Sequence, residues 1–327
     1  MSRCWPLALA AVTLLAGCSI NPPLQLADFV PARAALQLTS VPFYPQQAYQ
    51  CGPAALAGVL GAAGVFASPA ELAPQVYLPG RQGSLQLELL AATRRAGRIP
   101  YPVTASPQAL FSQLRADRPV LVLQNLQTRQ FPAWHYAVLV GFDAPDNRVY
   151  LNSGREQGLA MDAPEFMRTW DWGGRWGMVV LRPGELPAQA DAGDYMQAVA
   201  DFETVAGSAA AAPAWEVALS TWPAQPTPYL ALGNRAHAEG DLLLALDYFR
   251  RGLLVADDNP ALGNNMASVL GEVGCPQEGL ALLAPILAGL AADSRWRPVI
   301  NATRGELAQL PASRDAGFCG QQMPTPG

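Results

Sequence analysis

The apolar pattern changes character near residue 185, and that change constrains the fold more than any other feature. Before it, helical stretches are followed by strand-like runs; after it, an Ala- and Leu-rich helical pattern continues to about residue 320. In this later part similar residues recur at a spacing of 34, Gly233 with Ala267 and Gly240 with Gly274. A period of this size belongs to stacked helix pairs, none of which buries its apolar face alone. Two folded domains are expected, residues 39–184 and 190–320, and a chain of 327 residues has room for both.

Within the first domain, Cys51 to Gly64 is small and apolar, and Pro53 is tolerated in a first helical turn. Ser84 is expected to cap a helix running to about Gly97, and Ser106-Pro107 opens a third helix through Leu114. Pro119 to Gln124, Tyr136 to Phe142, Arg148 to Leu151 and Gly177 to Leu181 are rich in Val, Leu and Tyr and read as strands. Asp146-Asn147 supplies the turn between the second and third. Helices followed by a mainly antiparallel sheet make an α+β domain.

Charge and residue usage remove several chemistries. The formal net charge is −5, whereas a nucleic-acid binder usually carries a basic face. All 21 basic residues are Arg, so a phosphate-binding Gly-Lys-Ser/Thr loop, a Schiff-base lysine and a Ser-Lys dyad are excluded. The two histidines, His135 and His237, lie 102 residues apart (237 minus 135), which does not suit a His-rich zinc site. No cofactor is expected. His237, flanked by Ala236 and Ala238, reads as a helix-surface residue.

Cys51 opens an Ala/Leu-rich helix, where unpaired backbone N–H groups and the positive end of the helix dipole favour thiolate over thiol. No other cysteine lies in its domain, which suits a free thiol, and His135 in the same domain can serve as its base. Cys275 and Cys319, near the end of the chain, can pair with each other in an oxidising compartment.

Residues 1–17 place Arg3 before an apolar stretch from Leu7 to Leu15, about half the length needed to cross a bilayer as a helix. Leu15-Ala16-Gly17-Cys18 then resembles the lipobox of bacterial lipoproteins. The resemblance implies cleavage before Cys18 and acylation of that cysteine. Ser19, rather than Asp, follows it and implies sorting to the outer membrane, with the protein facing the periplasm. Residues 18–38, with Pro22, Pro23 and Pro31, read as a tether. The membrane is then met through the N-terminal lipid only.

Several segments of the first domain resemble the C39 group of papain-like cysteine peptidases. They are Val41-Pro42-Phe43, Pro45-Gln46, Gln50-Cys51-Gly52-Pro53-Ala54-Ala55-Leu56 and Trp134-His135-Tyr136-Ala137-Val138-Leu139-Val140-Gly141-Phe142-Asp143. The resemblance implies a papain-like fold, Cys51 as nucleophile and His135 as base. Asn152 falls where the family usually has Asp, and the resemblance implies that it orients the imidazole. Its side-chain carbonyl can hold the ring but adds no negative charge to stabilise imidazolium. Asp143 is the alternative orienter, although it ends the histidine strand and suits a turn cap. Gln46, or Gln47 beside it, is implied as the oxyanion donor together with the backbone N–H of Cys51. Trp134, Trp170, Trp172 and Trp176 line either the site or the core.

The second domain resembles tetratricopeptide repeats through Tyr229, Leu232, Gly233, Gly240-Asp241, Ala245 and Phe249. Asn265-Met266-Ala267, Leu270 and Gly274 begin a second repeat. Such stacks leave a concave groove for an extended peptide or a partner helix. The implied activity is hydrolysis of peptide bonds in a polypeptide, with the repeats holding substrate or an envelope protein. The competing expectation is an inactive peptidase fold serving as an envelope scaffold. The resemblance suggests cleavage after a Gly-Gly pair, yet the export ATPase that accompanies transport-linked members is missing from this chain.

Overall fold

The computed structural model describes residues 24–46, 50–81, 83–311 and 315–324. The segment 1–17 expected to be a signal peptide, the expected lipidation residue Cys18 and Gln47 lie outside the described residues. No helix among those described is long and apolar enough to cross a membrane. The described residues divide into two compact units, those up to residue 92 with 102–179, and residues 93–101 with those from 180 onward.

Elements before the change of pattern are β1 (Ala35–Gln37), α1 (Cys51–Ala62), α2 (Pro69–Val76), β2 (Tyr77–Leu78), β3 (Gly83–Ser84), α3 (Gln86–Arg95) and β4 (Ile99–Pro102). They continue with α4 (Pro107–Arg115), β5 (Val120–Asn125), β6 (Trp134–Asp143), β7 (Arg148–Ser153), β8 (Glu156–Asp162), α5 (Ala163–Trp172) and β9 (Gly177–Leu181). The main sheet has the order β4-β9-β5-β6-β7-β8, and β2 and β3 form a separate ribbon. β6 is the long central strand. β5 pairs with its first half, from Asn125↔Trp134 to Val120↔Leu139, and β1 pairs with the remainder at Gly141 to Asp143, both antiparallel. β7 takes the other edge, and β8 pairs antiparallel with β7.

Residues 52–61 of α1 are all buried, so this helix is apolar all round and lies inside the unit. It lies against β6: a Cβ added at Gly58 would stand 3.6 Å from Val138 Cγ2. Phe111 of α4 meets Phe142 of β6 edge-on at 5.6 Å. Trp170 of α5 is fully buried and donates its indole N–H to the Trp176 carbonyl at 3.0 Å. Truncating a core residue such as Leu56 or Phe111 to Ala would cost about 2–5 kcal/mol.

The expected helix starting at Cys51, the helix opened by Ser106-Pro107 and the four strands are present. Ser106 caps α4 by accepting from Ala109 N at 3.2 Å. Ser84 does not act as a cap: it lies in β3, and its buried hydroxyl has no hydrogen-bond partner. Further elements, β1, α2, β2, β4, β8 and α5, fill stretches where no helix or strand was expected, and β1 lies within the segment 18–38 read as a tether. In β8 the sequence Glu-Gln-Gly-Leu-Ala-Met-Asp has weak strand propensity, and pairing with β7 makes it a strand.

The later part is helical, with α6 (Ala192–Ala206), α7 (Ser208–Thr221), α8 (Pro226–Ala238), α9 (Leu242–Val255), α10 (Pro260–Glu272), α11 (Pro276–Gly289), α12 (Trp296–Leu307) and α13 (Ala316–Gln322). Helices α6, α8 and α10 begin at 192, 226 and 260, and α7, α9 and α11 at 208, 242 and 276. Both series step by 34 residues, the spacing visible in the sequence. Gly240 and Gly274, also 34 apart, end α8 and α10 with φ of +81° and +84°, a conformation that favours glycine. Tyr229, Leu246, Phe249, Leu262 and Met266 form one buried cluster across α8, α9 and α10. Cys275 and Cys319 form a disulfide that closes a loop of 44 residues. His237 is partly exposed on α8 and lies 2.8 Å from Glu272 Oε1.

Candidate active site

Cys51 is the first residue of α1 and is half-buried. Its neighbour Gly52 is required by space: a Cβ there would come within 2.3 Å of Ser84 Oγ and 2.6 Å of Ser84 Cβ. The Cys51-Gly52 step thus lets β3 lie directly against the start of the helix. Cys51, His135 and Gln46 line one cleft of about 1070 Å³, with Ser84, Tyr136, Trp134, Trp172, Arg81 and Arg155 among the other lining residues. His135 and Tyr136 are consecutive in β6 and point to opposite faces, so the cleft wraps around the beginning of that strand.

The imidazole is held from behind. Nε2 of His135 lies 2.9 Å from Ser153 Oγ, which leaves Nδ1 without a hydrogen-bond partner among the described residues. No hydrogen bond joins the ring to the Cys51 sulfur among those residues. Burial holds the His135 imidazole below the ordinary histidine range, so the neutral ring, the form able to take a proton, is favoured. Burial raises the Tyr136 phenol far above its usual value, with the nearby Cys51 as a second cause. That hydroxyl stays protonated and donates to the Ser84 carbonyl at 3.4 Å.

Asn152 does not make the orienting contact that the resemblance implies. Its register partner on β6 is Val138, which faces α1 across Gly58, and directly opposed residues share a face. His135 has the other parity. The Asn152 carbonyl oxygen accepts from Gly158 N at 3.0 Å and braces the β7–β8 hairpin. Ser153, one position further, has the parity of His135 and makes the contact. Asp143 is no alternative, since its carboxylate accepts from Asp146 N at 3.0 Å and closes the turn after β6.

Gln46 borders the cleft. Its backbone N–H donates to the Gly154 carbonyl at 2.8 Å, while its side-chain amide makes a long contact of 3.5 Å to the Tyr136 carbonyl. A contact of that length is readily exchanged for a better acceptor. Among the tryptophans, Trp170 belongs to the core, whereas Trp134 and Trp172 line the cleft, Trp134 being more than half exposed.

Residues 38–171 match the model of the Peptidase_C39 like family. The first domain is thus similar to the C39-like peptidases over this stretch. Among solved structures, a protein described as a C39-like peptidase from Bacillus anthracis is similar at 17% identity and a TM-score of 0.38, over 45% of this chain and 98% of its own. A double glycine motif protease from an AMS/PCAT transporter, in complex with its leader peptide, is similar at 22% identity and a TM-score of 0.33, over 43% of this chain and 91% of its own. No curated protein matches. Of the candidate residues named from the sequence, Cys51, His135 and Gln46 line the one cleft. Sequence reasoning missed Ser153 by one residue, and it missed the arginines at the cleft, for which the sequence offers no local signal.

Proposed function

We propose that the first domain hydrolyses peptide bonds by thiol chemistry, with Cys51 as nucleophile and His135 as general base. The observation that carries this reading is the cleft shared by Cys51, His135 and Gln46, in which the ring is held through Nε2 and Nδ1 has no hydrogen-bond partner among the described residues. His135 takes the proton of Cys51 as sulfur attacks the scissile carbonyl. The backbone N–H of Cys51 and the amide of Gln46 stabilise the oxyanion, the amide exchanging its long contact to Tyr136 for the stronger charge-assisted bond. His135 then returns the proton to the leaving amine, and water, deprotonated by the same ring, releases the acyl group from sulfur. Ser153 is the positioning residue. When its hydroxyl accepts from Nε2–H, the lone pair of Nδ1 is available as base.

The lipobox-like Leu15-Ala16-Gly17-Cys18 supports an outer-membrane lipoprotein facing the periplasm, and the Cys275–Cys319 disulfide suits an oxidising compartment. The 34-residue helix spacing supports a tetratricopeptide-like array that holds substrate or an envelope partner.

The testing experiment is alkylation with iodoacetamide followed by peptide hydrolysis. Cys51 should react faster than free cysteine, His135→Ala should abolish that excess, and Cys51→Ala should remove hydrolysis altogether. A Cys51 no more reactive than free cysteine, in a protein that cleaves nothing, rules the peptidase out. The second reading, an inactive peptidase fold used as an envelope scaffold, is favoured by one observation: the group on His135 is a neutral serine, not a carboxylate. It requires that Cys51→Ala leave the cellular phenotype intact while deletion of residues 190–320 abolishes it.

A further inference from the structure

The cleft that holds Cys51 is basic in a protein that is acidic overall. Acidic residues outnumber basic ones, 26 to 21, yet among the described residues no Asp or Glu lines this cleft and two arginines do, Arg81 and Arg155. Arg81 ends the short turn Pro79–Arg81 that leads into β3; Arg155 sits in the turn between β7 and β8, next to Gly154. Neither makes an ion pair among the described residues. Other arginines near the cleft have ion-pair partners: Arg168 stacks over Trp172 and meets Glu165, while Arg129 and Arg175 share Asp171. The two cleft guanidiniums are therefore lining charges without an ion-pair partner among the described residues. The remaining wall, with Gly83, Gly154, Gly173 and Gly174 between Trp134 and Trp172, leaves backbone accessible to an extended chain.

We propose that this cleft selects acidic polypeptide segments, with Arg81 and Arg155 each receiving a substrate carboxylate near the scissile bond; this rests on the peptidase reading above. A guanidinium offers a planar fork of donors that matches a carboxylate with two parallel hydrogen bonds. Both arginines are exposed, so each contributes modestly and the contribution is screened by salt. A peptide is favoured over a nucleic acid because the cleft centres on a thiol and its base, chemistry suited to a carbonyl.

The test is binding of short fluorescent peptides to the full Cys51→Ala chain, measured by anisotropy. Three peptides of one sequence carry Glu, Gln or Arg on both sides of a central Gly-Ala step. The Glu peptide should bind on the order of tenfold more tightly than the Gln peptide at low salt, and the Arg peptide more weakly than either. That advantage should vanish in Arg81→Gln/Arg155→Gln, and at about 0.5 M salt. Equal binding of the Glu and Gln peptides, absence of binding by all three, or an advantage that survives the double substitution would overturn the proposal. Tighter binding of a single-stranded oligonucleotide than of the Glu peptide would overturn it as well. Failure of the peptidase reading is separate: the unsubstituted protein would leave all three peptides uncut, whatever the order of their affinities.

Discussion

Ser153 Oγ stands 2.9 Å from Nε2 of His135, and this neutral hydroxyl occupies the place behind the ring where a carboxylate would add charge. A serine can donate to Nε2 or accept from it, so it fixes the ring's orientation more firmly than its tautomer. Substitution here should separate the two effects. Ser153→Ala is expected to lower kcat about tenfold with KM nearly unchanged, since the ring keeps its strand position but loses its anchor. Asn152→Ala should act instead on stability, through the lost contact to Gly158 N. Steady-state kinetics and thermal melts of both variants check this. Equal kcat losses in the two would remove Ser153 from its role.

Burial lowers the His135 pKa below 6.5, which fixes the sign of two pH effects. The neutral base persists to more acidic pH than an exposed histidine would, so the acid limb of kcat/KM should fall below pH 6.5. Stability follows the same sign. As pH drops below the unfolded value the unfolded chain binds the proton first, so the stabilisation is present above that value and declines towards the folded pKa. Ser153→Asp, which places a negative charge beside the ring, should move the acid limb upward. A pH–rate profile of both proteins tests this, and a downward shift would contradict it.

Gly52 and Ser84 interlock at the start of α1. Gly52→Ala puts a methyl within 2.3 Å of Ser84 Oγ and 2.6 Å of its Cβ, so β3 must move away from the nucleophile. The expected cost is about 1–3 kcal/mol of stability together with a large loss of activity. Because both close atoms belong to the Ser84 side chain, Gly52→Ala/Ser84→Gly should recover much of the stability. Denaturant titration of the two proteins measures this, and no recovery in the double variant would refute the steric account.

Cys275 and Cys319 tie the start of α11 to α13 across a 44-residue loop. Cys319→Ser should lower stability by about 2–4 kcal/mol while leaving peptide hydrolysis at 25 °C unchanged, because the bond lies outside the peptidase domain. Alkylation of the native, unreduced protein should label Cys51 but neither of these two. Mass spectrometry of the labelled peptides decides the point.

Local signals made much of the fold legible. Apolar runs, Ser106-Pro107 and the 34-residue recurrence each report on a few neighbouring residues, and these are the places where α1, α4, the four expected strands and the helix series appear. The strand β8 was hidden because its residues do not alternate; the unpaired edge of β7 recruits them. The Ser84 cap failed for a comparable reason, since its hydroxyl is drawn into the wall beside Gly52.

The sequence alone named the candidate pair: a thiol at a helix start and a histidine within a Val/Leu strand. Those assignments depend on local chemistry, and the domain's family match covers both residues. What only the tertiary structure decided is which side chain stands behind the ring and what charge lines the cleft. The choice between Asn152 and Ser153 depends on register, and register shifts occur on both edges of β7, between Leu139 and Gly141 and between Leu151 and Ser153. Side chains alternate with a period of two, so one displaced residue sends the neighbouring side chain to the other face. Arg81 and Arg155, 74 positions apart (155 minus 81), share a cleft only because folding brings the segment before β3 and the β7–β8 turn to the same place. Such a meeting is made by the packing of distant segments and leaves no trace in the residues beside either arginine.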